Sequence, residues 1–523
     1  MNSDAAVERS RTAGSGVSRR SAWIGLALIG ALFLALRMPV MYHQPGGYDE
    51  DFYAVPGLTI LQGGVPRLPH VPARNPESVF IHADHVLYSE PPLYFYFQAA
   101  LYSLLPDVYG TARLTSALAG LALVACVYRL SLAAGAGCMA SLAGTALFSL
   151  SRWFYFPAIC ARPDTLCALF GLLAILAVLR WRSDQRRRWL LLMGACLGLG
   201  GLTHFFAIIY AIQLGLIVAG SSRGWGRLVN PAVLTLTSIV VFCAWLPLIA
   251  MAPDIFREQL GNQLGDTSGG PMWLRAIAPW ESFRYQLPVM WEHIGAIQCV
   301  IPAAALLFGA GLGIATRNST LLLVGGLGLT AVYLICVFVG PDHPVYGYWV
   351  YPAGLMFVPL ASALDAAARR LAQLTHRNSS ATTPDPVHAI AGVILASLLG
   401  LAFLPGCGLR TLSVHLRHWN DINYDSPRFA RALMDTLPPD EVCAVDAQFV
   451  LDFVAAGRPA LLATDYPPYF RVDQAHFDTL IVSRHQIDLQ LTQRLNVQLV
   501  RTEGIESDIF ACYAEIYEPP APQ

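Results

Sequence analysis

The sequence predicts an all-α polytopic membrane protein of about 11 transmembrane helices, followed by a small C-terminal α/β domain outside the membrane. Three observations predict it. Of 523 residues, 55% are apolar and only 13% are charged, against about 25% charged in a typical soluble domain. Apolar runs of about 20 residues, the length that crosses a bilayer as a helix, recur from residue 21 to residue 408. Beyond Leu409 charge rises and the apolar runs shorten. The net charge of −1 selects no partner, and nothing in the pattern points to nucleic acid.

Residues 1–20 are polar and Arg-bearing and read as a disordered cytoplasmic tail. The run 21–42 lacks a convincing cleavage site and reads as a retained anchor rather than a signal peptide. Further spans are expected at 109–134, 137–157, 165–181, 189–204, 205–222, 228–252, 291–316, 319–340, 345–366 and 388–407. All 34 basic residues are Arg, and their placement orients the chain. Arg9, Arg11, Arg19 and Arg20 put the N-terminus in the cytoplasm. Arg180, Arg182 and Arg186 to Arg188 follow suit only if an even number of spans precedes them. The apolar segment Pro91–Leu105 is short for a span and is therefore laid along the outer interface. Its Tyr94, Phe95, Tyr96 and Phe97 suit the aromatic belt.

Read this way, residues 21–408 form a membrane domain with a large outer loop at 43–108. The turn around Arg162-Pro163-Asp164, the loop 253–290 with its Gly-Asp-Thr-Ser-Gly-Gly break, and everything after Leu409 also lie outside. The inner face carries short Arg-rich loops and the linker 378–387. In residues 409–523, Ser426-Pro427 opens a helix to about Leu437. Strands are expected at Val442–Val445, Ala460–Ala463, Thr479–Val482, Val497–Val500 and Ile509–Ile516, with helical patterns at 449–456 and 485–495 between some of them. Eleven Cys are scattered without CxxC or Cys/His ligand spacing, which identifies no zinc or redox site. Cys443 and Cys512 both fall in this region and could pair, which sequence does not decide.

Chemistry concentrates on the outer side. Asp49-Glu50-Asp51, after Tyr48, stands a few residues beyond the first span and opens the 43–108 loop. An acidic triplet is most often a solvated loop start, but here it adjoins the membrane face and the helical run Tyr53–Leu61. Glu90-Pro91-Pro92-Leu93 is a rigid helix start with an acid before it. Arg162-Pro163-Asp164 sits at the mouth of spans otherwise bare of charge, as a local ion pair or as something more. Thr203-His204 lies at the outer end of a span, where a lone His is usually a hydrogen-bonded structural residue. Asp342-His343-Pro344 and Tyr346 lie at the outer start of another. His82-Ala83-Asp84-His85 has ligand-like spacing with no further ligand identifiable. A carboxylate able to deprotonate a hydroxyl, with an Arg and a His for a phosphate, is what a lipid-linked phosphosugar requires.

The pattern Tyr48-Asp49-Glu50, Gly63-Gly64-Val65-Pro66, Glu90-Pro91-Pro92-Leu93-Tyr94, Ala112-Arg113-Leu114 and Arg162-Pro163-Asp164 resembles the polyprenyl-phosphate-sugar-dependent glycosyltransferases of the C-type fold. More narrowly it is similar to the bacterial protein O-mannosyltransferase and lipid A aminoarabinose transferase group, over roughly residues 20–365. The resemblance implies that Asp49 is the catalytic acid, Glu50 its partner and Asp164 the second outer-loop acid. It sets Arg162, His204 and Tyr346 by the donor phosphate, and Tyr48, Asp51 and Glu90 in the substrate loop. His204 stands where relatives often carry Lys after Thr, and Glu90 where many have Lys or His. It implies a polyprenyl-phosphate sugar donor, a lipid, glycan or protein acceptor, and a site on the periplasmic or extracellular side of the inner (plasma) membrane. It names no cofactor, though a divalent cation is compatible with the acids.

Two other functions fit a polytopic chain. A transporter or lipid flippase would show ionisable residues near mid-membrane and internal repeats. Spans such as 137–150, 231–250 and 319–340 contain no Asp, Glu, Lys or Arg, and no repeat is evident. A catalytically dead scaffold would not need acids at 49, 50 and 164.

Overall fold

The computed structural model describes residues 19–47, 49–265, 271–339, 346–375, 386–484 and 490–520. The tail expected at 1–18, Tyr48, the break at 266–270, Asp342-His343-Pro344, most of the 378–387 linker and residues 485–489 lie outside the described residues. Tyr346 opens a short 3₁₀ turn, Tyr346–Trp349, but its side chain lies outside them as well.

Every apolar run expected to span holds a helix. In chain order these are α1 (Arg19–His43), α4 (Tyr109–Ala133), α5 (Cys138–Leu150), α6 (Asp164–Asp184), α7 (Arg187–Thr203), α8 (Ala207–Ser221), α9 (Gly226–Phe242), α11 (Ala296–Ala315), α12 (Ser319–Phe338), α13 (Val350–Thr375) and α14 (Pro386–Phe403). The outer loop contributes α2 (Glu50–Gly63) and α3 (Leu93–Tyr102), and the 253–290 loop contributes α10 (Pro253–Gly265). Among the described residues, 7 helices are long and apolar enough to cross a membrane: α1, α4, α6, α9 extended to Ile249, α11, α12 and α13. Cys138–Leu150, Ala207–Ser221 and Gly392–Phe403 are shorter apolar helices. The expected span 137–157 is thus a correction: α5 has 13 residues. The chain turns at Ser151, whose hydroxyl donates to the Phe148 carbonyl at 2.7 Å. The residues that follow form a short helix, Arg152–Tyr155, and then the loop that reaches Arg162. Leu28, Leu236, Leu307 and Leu398 are exposed on the outer helix faces, as lipid-facing residues are. The chain is a multi-pass membrane protein.

The interfacial segment is α3, 10 residues long, about 15 Å of helix and too short to cross. It lies against α2, where Gly57 lets the helices approach: a Cβ there would sit 2.6 Å from Gln98 Cβ. Gly64, at φ 78°, ends α2 with its N–H on the Ile60 carbonyl at 2.8 Å. This left-handed position suits glycine.

The C-terminal residues form a five-stranded mixed sheet in the order β2-β1-β5-β7-β6. Its strands are β1 (Cys443–Val445), β2 (Ala460–Leu462), β5 (Thr479–Ser483), β6 (Gln498–Gly504) and β7 (Tyr513–Glu518). β1 runs parallel to β2 and β5, while β7 runs antiparallel to β5 and β6. Helices α15 (Ser426–Asp435) and α16 (Ala447–Ala455) accompany the sheet. Within the expected 485–495 helix only Leu491–Arg494 is helical among the described residues. The last strand starts at Tyr513 rather than Ile509. Cys443 and Cys512 are both free thiols. A two-stranded hairpin, β3 (Asp465–Tyr466) with β4 (Phe470–Arg471), was not expected.

The sheet does not pack by itself. Phe52, Leu58, Leu68, Val71 and Phe80 of the outer loop share one apolar cluster with Phe429, Val445, Phe449 and Ile481 of the C-terminal residues. Backbone bonds stitch the two: Gly46 N–H to Gln448 O at 3.0 Å, Leu462 N–H to His70 O at 2.8 Å, and Val79 N–H to Pro468 O at 2.9 Å.

Candidate active site

The site forms where α2, α3, α6 and α13 begin. Asp49 is the residue before α2, with φ 53° and ψ −1° and no capping bond from its side chain. Left-handed backbone at a non-glycine residue is a local cost that functional sites often carry. It turns the Asp49 carboxylate away from the helix and toward Arg162, whose Nη1 donates to Asp49 Oδ2 at 2.6 Å.

The two acids that follow point elsewhere. Glu50 accepts from Arg113 Nε at 2.9 Å and Nη2 at 2.5 Å, from Ala161 N–H at 2.6 Å and from Gly47 N–H at 2.8 Å. Arg113 also donates to the carbonyls of Met41, Gln44 and Pro45. The pair therefore fastens the end of α1, the start of α2 and the 151–163 loop together. Asp51 is fully buried and meets His70 Nε2 at 3.2 Å. Burial holds its carboxyl above the ordinary value, with His70 opposing.

Arg162 is the centre of the other cluster. Its Nε donates to Asp164 Oδ2 at 3.0 Å. Its guanidinium lies over the rings of Tyr53 at 5.2 Å and Tyr348 at 5.5 Å, contacts that favour a planar cation. The surrounding acids raise its pKa further, against the cost of burial. Asp164 opens α6, where the helix dipole favours an anion, and its Oδ1 accepts from the Tyr351 hydroxyl at 3.1 Å. Tyr351 lies in turn 3.3 Å from His204 Nδ1. That nitrogen also faces the Phe206 N–H at 3.2 Å, so the hydrogen of this imidazole belongs on Nε2. His204 is buried behind Tyr351.

Glu90 joins from the other wall. Tyr53 donates to its Oε1 at 3.2 Å, while Oε2 is buried with no partner among the described residues. Burial pushes the Glu90 carboxyl up to about 8, with Arg162 and Tyr53 pulling the other way. It is therefore neutral at pH 7. A Glu here adds no charge to a site that would receive a phosphate, which lessens the consequence of having no Lys.

Exposure separates the acids. The Asp49 side chain is 27% exposed, against 3% for Glu50, 1% for Asp51 and 2% for Asp164. Asp49 is the carboxylate a substrate can reach. Glu50, read from sequence as its catalytic partner, has both oxygens taken by structural donors. His82 and His85 do not join Asp84 as a ligand set: Asp84 is held by Arg74, at 2.8 Å from each of two nitrogens. Among the described residues no three His, Cys, Asp or Glu could hold a metal ion, so the cation compatible with the acids has no evident cage there.

Tyr53, Tyr348 and Tyr351 were missed from sequence, as was the clamp role of Arg113. Tyr53 and Arg113 lie inside motifs already singled out. Tyr348 and Tyr351 carry only the weak signal of a Tyr-rich outer span start, Tyr346-Gly347-Tyr348-Trp349-Val350-Tyr351.

Comparison with known proteins follows this geometry. Residues 89–250 match the family model described as dolichyl-phosphate-mannose-protein mannosyltransferase. That segment contains Glu90, Arg113, Arg162, Asp164 and His204 but not Asp49. No curated protein matches the chain in sequence. Among solved structures, ArnT from Cupriavidus metallidurans bound to undecaprenyl phosphate is 14% identical with a TM-score of 0.59, covering 97% of this chain and 100% of that one. Its apo form is 16% identical at 0.58, covering 95% and 98%. The Archaeoglobus fulgidus oligosaccharyltransferase in the apo form is 11% identical at 0.55, covering 89% and 70%. The chain thus shares its fold with these structures over nearly its whole length, and its residues 89–250 match the mannosyltransferase family model.

Proposed function

We propose that the protein moves a sugar from a polyprenyl-phosphate donor to an acceptor hydroxyl, with Asp49 as general base. The observation that carries this reading is that Asp49 is the most open of the acids at 49, 50, 51 and 164 and is ion-paired to a half-buried Arg. The anomeric carbon loses its bond to the phosphate oxygen and gains one to the acceptor oxygen. The acceptor proton passes to Asp49, and the polyprenyl phosphate leaves as an anion. A phosphate is a good leaving group without a strong acid, so the demand falls on the base, worth roughly 10²–10⁴-fold. One displacement by such a base inverts the anomeric centre.

Arg162 would meet the departing phosphate, exchanging its contact with Asp49 for one with the phosphate oxygens. That exchange frees Asp49 as the donor enters. Asp164 holds Arg162 from behind, with Tyr351 and His204 behind Asp164 in turn, and these three act as positioning residues. Glu50 and Arg113 position the loop.

The site faces the periplasmic or extracellular side of the inner membrane, with the N-terminus inside. Two features support this. Asp164 opens α6, whereas Arg180 and Arg182 lie near its other end. Tyr351 and Arg369 are likewise separated along α13. The positive-inside rule places such Arg-rich ends in the cytoplasm. Purified protein incubated with a panel of polyprenyl-phosphate sugars should release polyprenyl phosphate from at least one, read by mass spectrometry. Release from none, with inserted and folded protein, would overturn the reading.

A further inference from the structure

The C-terminal residues do more than cover the outer loop. The turn between β3 and β4 reads Tyr466-Pro467-Pro468-Tyr469, and three consecutive carbonyls in it are taken by the catalytic loop. Asn75 Nδ2 donates to Pro467 O, Val79 N–H to Pro468 O at 2.9 Å, and Ser78 Oγ to Tyr469 O at 2.5 Å. The two prolines fix φ and lack N–H groups, so this turn is stiff and presents only acceptors. The loop it grips is braced from the far side by Asn262 of α10, which donates to the Pro76 and Ser78 carbonyls, each at 2.8 Å.

This arrangement inserts Tyr469 beside the reactive acid. Its ring meets Phe52 edge-on at 5.3 Å, Phe80 at 5.4 Å and Tyr466 edge-on at 5.0 Å. Phe52 lies one helical turn after Asp49 on α2. Burial, and after it Asp49, Tyr466 and Tyr348, push the Tyr469 phenol up, while Arg162 pulls the other way. It is a half-buried hydrogen-bond donor on the side of the C-terminal residues. A donor lipid brings its phosphate along the membrane helices, and Arg162 and Tyr348 each stand two residues before one, α6 and α13. The opposite wall is left for the acceptor.

We propose that Tyr469 is an acceptor-positioning residue supplied by the C-terminal domain, so that this domain sets which acceptor hydroxyl reaches Asp49. The inference rests on the transferase reading above. It makes the 465–471 hairpin a specificity element, in which the ring backs the acceptor and the phenol O–H orients it.

The test compares the full-length wild type with Tyr469→Ala and Tyr469→Phe, at one donor and across an acceptor panel. In Tyr469→Ala the acceptor KM should rise by about tenfold while the donor KM moves less than about twofold. Tyr469→Phe, which keeps the ring and the packing, should show a smaller rise and an altered order of preferred acceptors. Donor and acceptor KM rising together in both variants would make Tyr469 a structural residue. An unchanged acceptor KM and preference order in both variants would also overturn the inference, while leaving the transferase reading intact. A wild type that turns over no donor overturns the transferase reading and this inference with it.

Discussion

Two arginine–carboxylate pairs stand side by side in this protein and do opposite things. Glu50–Arg113 is sealed, its partners 3% and 5% exposed, and Arg113 also satisfies three backbone carbonyls. Asp49–Arg162 is open on the carboxylate side and lined by tyrosine rings. Both pairs use the same chemistry, and adjacent residues supply the acids. What differs is solvent access and the number of other bonds each Arg already makes. A fully occupied pair can only hold the fold, whereas a partly occupied one can trade a partner for a substrate.

The largest expected effect breaks the sealed pair. Arg113→Ala leaves Glu50 buried and uncompensated, which costs about 3–5 kcal/mol. It should lower the thermal midpoint of detergent-solubilised protein sharply or abolish folded yield. Survival with an unchanged midpoint would remove the contrast between the pairs.

Next comes the open pair. Asp49→Asn should fold and insert with a stability change under about 1 kcal/mol, yet lose at least about a hundredfold in turnover. Near-normal turnover in Asp49→Asn alongside a loss in Asp164→Asn would move the base to the other acid. Arg162→Ala should raise the donor KM by roughly tenfold, and Arg162→Lys should not restore it, because an ammonium cannot form the planar bidentate contact. Full rescue by Lys would show that charge alone is used.

The smallest effect sharpens the electrostatics. Glu90 has a carboxyl raised to about 8, first by burial. Its neutral form is the one the fold favours, so the stability it contributes is present at low pH and is lost as pH rises from the ordinary carboxylate range through about 8. Ionisation also sets a negative charge beside Arg162. Donor KM should therefore rise as pH passes 8 in the wild type and rise less in Glu90→Gln, whose midpoint should also vary less between pH 5 and 8. Identical pH profiles for the two would show that Glu90 does not titrate in this window.

Composition and periodicity were enough to place eleven helices, since apolar runs need no tertiary partner to be recognised. The α/β character of the C-terminal residues followed from short strands bounded by Pro and Gly. The acids at 49, 90 and 164 and the arginine at 162 were legible because charge at the mouth of an apolar span is conspicuous. What was not legible is direction. At a helix start successive side chains diverge by about 100°, so Asp49, Glu50 and Asp51 meet Arg162, Arg113 and His70 in three separate environments. No local pattern ranks them, because burial and partners come from residues up to 113 positions away. The β3–β4 hairpin was invisible for a related reason. Its two-residue strands carry no periodicity, and its place is set by hydrogen bonds to a loop 391 residues earlier in the chain. Sequence alone determined that this is a membrane protein with an acidic face. Only the folded chain decided which acid is most open, which arginine is already fully occupied, and that a tyrosine of the C-terminal residues packs on Phe52, one helical turn from Asp49.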